Sequence, residues 1–140
     1  DVQCIRCNVG ELAAIAGVHW ESRGVDSGDG EIDVIEVAKL IANAYKTIVF
    51  VTGSTDIVTN GQQVMEIPGG DQRITEVTAT GCLLSAICAA ALTTAQEPMS
   101  ALYHIAQDYK QVSTMASQQQ QIGHFQYELL NALQQLSKGE

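Results

Sequence analysis

The spacing of apolar and polar residues predicts alternating strands and helices in the first part of the chain. Val2 to Cys7 is a short apolar run typical of a buried strand, and Gly10 to Val18 follows with apolar residues at helical spacing. A segment rich in Ser, Gly and Asp, Glu21 to Gly30, indicates a loop before a second helix from Ile32 to Lys46. The run Thr47 to Val51 predicts a second buried strand.

The rest of the chain predicts a hairpin followed by helices. The strands Asp56 to Thr59 and Gln62 to Ile67 flank Asn60-Gly61, a pair that supplies the positive φ angles of a tight primed turn. We expect both strands at the edge of the same sheet. An apolar helix, Gly81 to Thr93, is expected to be covered on nearly all sides. Two amphipathic helices end the chain, at about Pro98 to Gln118 and His124 to Leu136.

This order of elements predicts a layered α/β fold with a largely parallel sheet, an edge hairpin and a helical tail. Only two strands are of the long buried type, and the sequence opens on one of them at Val2. Because an uncovered strand edge favours aggregation, we expect preceding strands, in the same or another polypeptide, to cover it. Residues 1–140 are therefore predicted to form a single, incomplete domain.

Composition and charge narrow the classes of function. The apolar fraction is 46%, normal for a globular protein, and the net charge of −9 is spread from Glu11 to Glu140, which disfavours binding to nucleic acid. The longest apolar run, Cys82 to Leu92, is too short to span a bilayer, and no secretory signal opens the sequence. We expect a cytoplasmic protein with no membrane role.

Four cysteines without a secretory signal suggest free thiols in a reducing compartment. Cys4 and Cys7 form a C-x-x-C pair, but a zinc site needs a second pair at similar spacing, which Cys82 and Cys88 do not supply. Residues three apart on a strand also point to opposite faces. Buried thiols in a core strand are therefore favoured over a metal or redox site.

The segment from Glu76 to Ala86 carries the clearest chemical signal. A loop of small residues leads directly into an apolar helix, so the backbone N–H groups of about Thr80 to Leu83 are expected to be unpaired at the positive end of the helix dipole. Such a terminus binds anions, and Thr80 and Gly81 let a phosphate come close to the backbone. The alternative is a Thr-Gly helix cap followed by a buried cysteine, Cys82.

Four polar residues follow the two buried strands. Arg6 suits the clamping of phosphate oxygens, although a surface ion pair is the alternative. Glu11 would reach the same crevice, where a magnesium ion held through water and phosphates needs a carboxylate. Asn8 either caps the next helix or orients Glu11 and the metal waters. Ligands of open α/β sheets bind outside the carboxyl ends of strands, so Arg6, Thr52 and the loop before Cys82 are expected to converge.

The string V-T-A-T-G-C-L-L-S-A, residues 77–86, resembles the V-T-G-T-G-C-x-L-x-A signature of hydroxyethylthiazole kinases, which are ribokinase-like enzymes. Two further segments match that family in the same order. Residues 5–17 are similar to its I-R-G-N-x-x-E-I-x-x-L-A-G stretch, and residues 51–60 are similar to its V-T-G-x-x-D-x-V-x-D-G strand and hairpin. The resemblance extends from Ile5 to about Leu92, and the last two helices match only in character.

The resemblance implies an ATP-dependent kinase that phosphorylates the hydroxyl of 4-methyl-5-(2-hydroxyethyl)thiazole in thiamine biosynthesis or salvage. It implies Mg²⁺ as the cofactor, ATP as co-substrate and a homotrimer with active sites between subunits. The family's thiazole pocket and first magnesium carboxylate come largely from an N-terminal half that this sequence lacks. The implied roles are base or alcohol positioning for Cys82, a phosphate anion hole at Thr80 and Gly81, ATP binding for Arg6 and Thr52, and metal binding for Glu11 and Asn8.

Two residues depart from the family pattern. Ala79 stands where the family has a glycine whose backbone contacts the thiazole alcohol, so its methyl group is expected to crowd the substrate or strain the loop. Cys7 replaces a family glycine just after Arg6.

Two other functions stay open at this point. One is a non-catalytic fragment that needs a complementary N-terminal chain. The other is a different ribokinase-like kinase, such as a hydroxymethylpyrimidine kinase, although those enzymes usually carry aspartate at the position of Cys82.

Overall fold

The computed structural model describes residues 2–18 and 33–139, so the predicted loop Glu21 to Gly30 lies outside the described residues. The chain forms two compact units, residues 1–66 and 67–140. The strands and first helices are β1 (Cys4–Asn8), α1 (Val9–Ala16), α2 (Val34–Tyr45), β2 (Ile48–Thr52), β3 (Thr55–Thr59) and β4 (Val64–Pro68), with β4 running across the boundary between the units.

The four strands form one sheet in the order β1-β2-β3-β4. β1 and β2 are parallel, in a register that pairs Cys4 with Ile48 and Asn8 with Thr52, and β2 and β3 are antiparallel. Between the parallel strands the chain passes through α1 and α2, as a parallel connection requires. The predicted α/β class is confirmed, and the sheet within this chain is mixed.

The core of the first unit lies on one face of the sheet. Side chains at alternate positions of β2, Val49 and Val51, join buried residues of α1 and α2 on that face. Cys7 belongs to this core, Cys4 is only partly buried, and none of the four cysteines, all of which lie in the described residues, forms a disulfide. The buried members are Cys7, Leu12, Ala38, Ile41, Ala42, Val49, Val51 and Ile57.

The hairpin between β3 and β4 does not use the predicted two-residue primed turn. Gly61 has φ 91°, but Asn60 does not share that left-handed conformation. Its side chain instead accepts hydrogen bonds from the N–H groups of Gln62 (3.0 Å) and Gln63 (2.8 Å). The side chain of Asn60 thus stabilises a longer loop, a local alternative open to asparagine in turns. β3 also lies between β2 and β4, so only β4 is an edge strand of the two.

The second unit is helical. A short 3-10 helix (Gln72–Glu76) precedes α3 (Thr80–Leu92), α4 (Pro98–Ala116) and α5 (Ile122–Lys138). None of the helices in the described part of the chain is long and apolar enough to cross a membrane. The buried core contains Val77, Val112, Ala116, Phe125, Leu129 and Ala132.

The expectation that α3 is covered on nearly all sides is wrong. Leu84 and Cys88, one helical turn apart, are the buried residues of α3, whereas Cys82, Ala86 and Ala89 are exposed. Four of the apolar residues of this helix are alanines, which form helices well and expose little apolar area.

Candidate active site

The carboxyl ends of β1 and β2 bring four predicted site residues to one edge of the sheet. Asn8 and Thr52 are partners in the parallel register, and Arg6 lies two residues before Asn8, paired with Phe50. Because α1 begins directly after Asn8, Glu11 in its first turn lies at the same edge. The structure thus groups Arg6, Asn8, Glu11 and Thr52 within the first unit.

The Arg6 side chain is half-buried, and its Nε atom is fully buried without a hydrogen-bond partner among the described residues. A buried donor left without an acceptor costs roughly 1–3 kcal/mol. The predicted alternative, a surface ion pair, finds no carboxylate partner within residues 2–18 and 33–139. An anionic ligand is the kind of group that a guanidinium in this state binds.

Asn8 and Glu11 form a capping box at the start of α1. The Asn8 Oδ1 atom accepts from the Glu11 N–H at 2.8 Å, and Glu11 Oε2 accepts from the Asn8 N–H at 2.8 Å. The predicted cap at Asn8 is confirmed. The Glu11 side chain is exposed, and its second oxygen, Oε1, has no hydrogen-bond partner in the described part of the chain. That oxygen can receive a water molecule bound to a metal ion.

Thr52 ends β2 with its hydroxyl directed at the neighbouring strand, where it donates to the Cys7 carbonyl at a long 3.3 Å. The next residue, Gly53, donates its N–H to Asp56 Oδ1 at 2.9 Å. A side chain at Gly53 would meet the Thr55 carbonyl oxygen at 3.4 Å, close to an ordinary van der Waals contact. Asp56 is buried in this turn, a role that the sequence did not reveal.

The second group of predicted residues lies at the start of α3. Ala79 is the N-cap residue with φ 72° and ψ 1°, and no side chain caps the helix. The N–H groups of Thr80, Gly81 and Cys82 have no acceptor among the described residues, as expected for a first turn without a cap. Leu83 departs from the prediction because its N–H donates to the Ala79 carbonyl at 2.9 Å. The predicted anion hole would therefore consist of the amides of Thr80 to Cys82.

Thr80 would contribute to this predicted anion hole through its backbone N–H group. Its hydroxyl donates to the carbonyl oxygens of Ile74 (2.9 Å), within the 3-10 helix, and Val77 (3.1 Å), directly after it. The side chain is thus engaged on the protein side of the turn, and the amide is the part of Thr80 that a phosphate can reach.

The two cysteines next to the predicted ligands differ in environment. Cys82, in the first turn of α3, is exposed, which contradicts the alternative of a buried cysteine. Cys7 is buried, and burial together with the negative charge of Glu11 raises the pKa of its thiol to about 11. Cys7 is therefore a core thiol, while Cys82 is exposed next to the predicted anion hole.

Arg6, Asn8, Glu11 and Thr52 belong to the first unit, and Ala79 to Cys82 belong to the second. The expected convergence of the two groups stays a prediction.

Sequence reasoning missed the contacts that surround the turn before α3. Tyr109 donates its hydroxyl to the Thr80 carbonyl at 2.7 Å. The Asp71 carboxylate accepts from Arg73 Nε (3.0 Å) and Nη2 (2.9 Å), and Arg73 also donates to the carbonyls of Ser117 and Gln119 after α4. This hydrogen-bonded pairing holds the pKa of Asp71 below its usual value. The sequence did contain one signal for this ion pair: Asp71 follows two glycines and lies two residues before Arg73.

The fold has the layered α/β architecture of ribokinase-like proteins. The chain is similar to a solved structure of the hydroxyethylthiazole kinase protein from Pyrococcus horikoshii OT3, with a TM-score of 0.78 and 24% sequence identity. That similarity covers 94% of this chain and 48% of the other, and it supports the fold class predicted from the sequence.

The model of the Hydroxyethylthiazole kinase family matches residues 1–139, and the chain belongs to that family. It is 51% identical over 135 residues to a hydroxyethylthiazole kinase of Lysinibacillus sphaericus, and 41% identical over 138 residues to one of Exiguobacterium. These alignments cover 96% and 98% of this chain. The chain spans about half the length of these curated relatives, 53% and 52%.

Proposed function

We propose that this chain supplies part of the active site of an ATP-dependent kinase that phosphorylates the hydroxyl of 4-methyl-5-(2-hydroxyethyl)thiazole, a step in thiamine biosynthesis or salvage. The observation that carries the proposal is the start of α3, where the amides of Thr80, Gly81 and Cys82 lack acceptors beside the exposed Cys82 thiol. Amides at the positive end of a helix stabilise the charge of a phosphoryl group during transfer. The two relatives from Lysinibacillus sphaericus and Exiguobacterium are named as hydroxyethylthiazole kinases, the same reaction class.

In the reaction, the alcohol oxygen attacks the γ-phosphorus of ATP, and the bond from that phosphorus to the β–γ bridging oxygen breaks to release ADP. The hydroxyl proton leaves as the new bond forms: it passes to the Cys82 thiolate, or, where Cys82 only positions the alcohol, to an oxygen of the transferred phosphoryl group. Catalysis consists mostly of positioning and charge neutralisation. Ala79 lies immediately before the anion hole and is proposed to contact the alcohol.

Arg6 and Thr52 are proposed to bind the phosphates of ATP. The buried Arg6 Nε would gain the acceptor that it lacks among the described residues, and charge-assisted pairing of arginine with phosphate is strong. Thr52 would turn its hydroxyl from the Cys7 carbonyl to a phosphate oxygen. The hydrogen bond to the Cys7 carbonyl is long, at 3.3 Å, so exchanging it for a phosphate oxygen loses little free energy.

The residues present fit a magnesium ion held mainly by water and phosphate oxygens. Within residues 2–18 and 33–139 no cluster of three or more His, Cys, Asp or Glu side chains could hold a metal by itself. Mg²⁺ usually retains several waters and needs only one or two protein carboxylates. Glu11 would hold the metal through its Oε1 side, with Asn8 fixing the carboxylate by the capping box. When bound, the ion would neutralise charge on the phosphates.

The test compares turnover and ATP affinity in the full-length protein that contains this sequence. Cys82→Ala is expected to lower kcat on the order of a hundredfold, with the KM for ATP changed less than about twofold, because the thiol acts on the alcohol. Cys4→Ala, a partly buried thiol of β1 with no proposed role, is the control. Equal losses in kcat and in ATP affinity after Cys82→Ala would argue against a catalytic thiol.

The whole enzyme is proposed to be a cytoplasmic homotrimer, with the thiazole pocket supplied largely by residues that precede this sequence in its relatives. By itself the chain is then an inactive fragment that needs a complementary N-terminal chain. Assays of thiazole phosphorylation by residues 1–140 with and without an added N-terminal segment test this. Activity of residues 1–140 alone would contradict it.

The other alternative is a kinase that phosphorylates a different alcohol, such as hydroxymethylpyrimidine. Comparing kcat/KM for the thiazole alcohol with that for hydroxymethylpyrimidine in the full-length protein separates the two kinases. A higher value for hydroxymethylpyrimidine would refute the thiazole assignment.

A further inference from the structure

The turn before α3 contains a strained residue. Lys46 and Ala79 are the non-glycine residues with positive φ among the described residues. Lys46 directly follows α2, a position where the left-handed conformation is common. Ala79 occupies an N-cap, where extended backbone is usual. For alanine this conformation costs free energy, and it persists only where surrounding contacts hold it.

The contacts that hold this turn converge on the next residue, Thr80. Its hydroxyl donates to the carbonyls of Ile74 and Val77, and its carbonyl accepts from the Tyr109 hydroxyl at 2.7 Å. Tyr109 lies on α4 and is only 7% exposed, so packing determines where its hydroxyl lies. Thr80 is therefore anchored through both its side chain and its backbone.

Because alanine has no polar side chain, Ala79 as N-cap residue also leaves the first backbone N–H groups of α3 available to a ligand. Aspartate, asparagine and serine are common N-cap residues, and their side chains accept hydrogen bonds from the first amides of a helix. Ala79 cannot do so, and the amides of Thr80 to Cys82 remain without an acceptor among the described residues.

We propose that Tyr109 is a positioning residue for phosphoryl transfer: its hydroxyl, through Thr80, holds the strained turn at Ala79 and thereby aims the amides of the anion hole. This inference rests on the proposed function. Tyr109 touches neither substrate nor the reacting atoms, and its effect passes through the Thr80 carbonyl.

The experiment is a double-mutant cycle in the full-length protein that contains this sequence. Tyr109→Phe keeps the ring and removes the hydrogen bond, so kcat should fall on the order of tenfold while the KM for ATP stays within about twofold. Tyr127→Phe, at a side chain 69% exposed on α5, is the matched control and should leave kcat unchanged. Because glycine adopts the left-handed conformation without strain, Tyr109→Phe should have almost no effect in an Ala79→Gly background.

Two kinetic results would overturn the proposal. One is a kcat for Tyr109→Phe equal to that of Tyr127→Phe. The other is an equal loss of kcat in the Ala79 and Ala79→Gly backgrounds, because a residue that only supports the fold would act independently of strain at this turn.

Hydrogen exchange separates this proposal from the proposed function. The Leu83 amide, bonded to the Ala79 carbonyl at 2.9 Å, should exchange faster in Tyr109→Phe than in the unsubstituted protein. If no thiazole phosphorylation is detected but this exchange quickens, the kinase assignment fails and the positioning of the turn by Tyr109 stands. If exchange at Leu83 is unchanged, the positioning role fails whatever the activity.

Discussion

At the scale of single residues, Ala79 combines a methyl group with a backbone conformation that favours glycine. Its φ of 72° confirms the strain expected from its place in the motif. An alanine in this region carries a penalty of roughly 1–2 kcal/mol. The sequence singled out Ala79 because the related motif has glycine at this position, but only the structure shows that its φ is positive.

Replacing Ala79 with glycine should stabilise the protein. The substitution relieves the left-handed strain but increases the entropy of the unfolded chain, so the free energy of unfolding should rise by about 0.5–1 kcal/mol. Urea unfolding of the full-length protein measures this.

The same chemical change at Ala89, an exposed position inside α3, is the control and should lower the free energy of unfolding by about 0.5–1 kcal/mol. Destabilisation by both substitutions would show that the turn at Ala79 carries no strain.

At the scale of elements, the start of α1 was predictable because its signal is local. Asn8 and Glu11 are three residues apart, the spacing of a capping box, and both reciprocal hydrogen bonds are present. The β3–β4 hairpin was less predictable, because Asn60 can serve a turn either through positive φ or through its side chain. The structure uses the side chain.

Removing the α1 cap should destabilise that helix. Asn8→Ala should lower the free energy of unfolding by about 1 kcal/mol, whereas Asn8→Asp retains an acceptor and most of the stability. Thermal and urea unfolding measure both variants. Asn131→Ala, at an exposed asparagine of α5, is the control and should change stability by less than about 0.5 kcal/mol. An Asn8→Ala variant as stable as this control would show that the cap contributes nothing.

At the scale of the whole molecule, the stability of the second unit is linked to pH through Asp71. Hydrogen bonds from Arg73 hold the pKa of this carboxyl below its usual value. A carboxyl with a depressed pKa in the folded state contributes stability above its unfolded pKa of about 3.9. That contribution disappears as the pH falls through the folded-state pKa.

Asp71→Asn should therefore be less stable than the unsubstituted protein at pH 7, and the difference should shrink steadily below about pH 4. Urea unfolding at pH 7, 5 and 3 measures this difference. Asp108→Asn, at an exposed residue of α4, is the matched control and should have little effect at pH 7. A deficit for Asp71→Asn that is constant across this pH range would exclude the ion pair as its source.

The sequence by itself determined the order of strands and helices, the family and the motif positions, because periodicity, caps and short motifs depend on residues close together in the chain. Only the tertiary structure decided which polar atoms are bonded within the protein and which lack a partner among the described residues. The buried Arg6 Nε, the Thr80 hydroxyl bonded to the protein side and the Tyr109 hydroxyl at the Thr80 carbonyl belong to that second class. Tyr109 and Thr80 are 29 residues apart, and no local pattern encodes a hydrogen bond from a side chain to a backbone carbonyl when only the packing of α4 brings the two together.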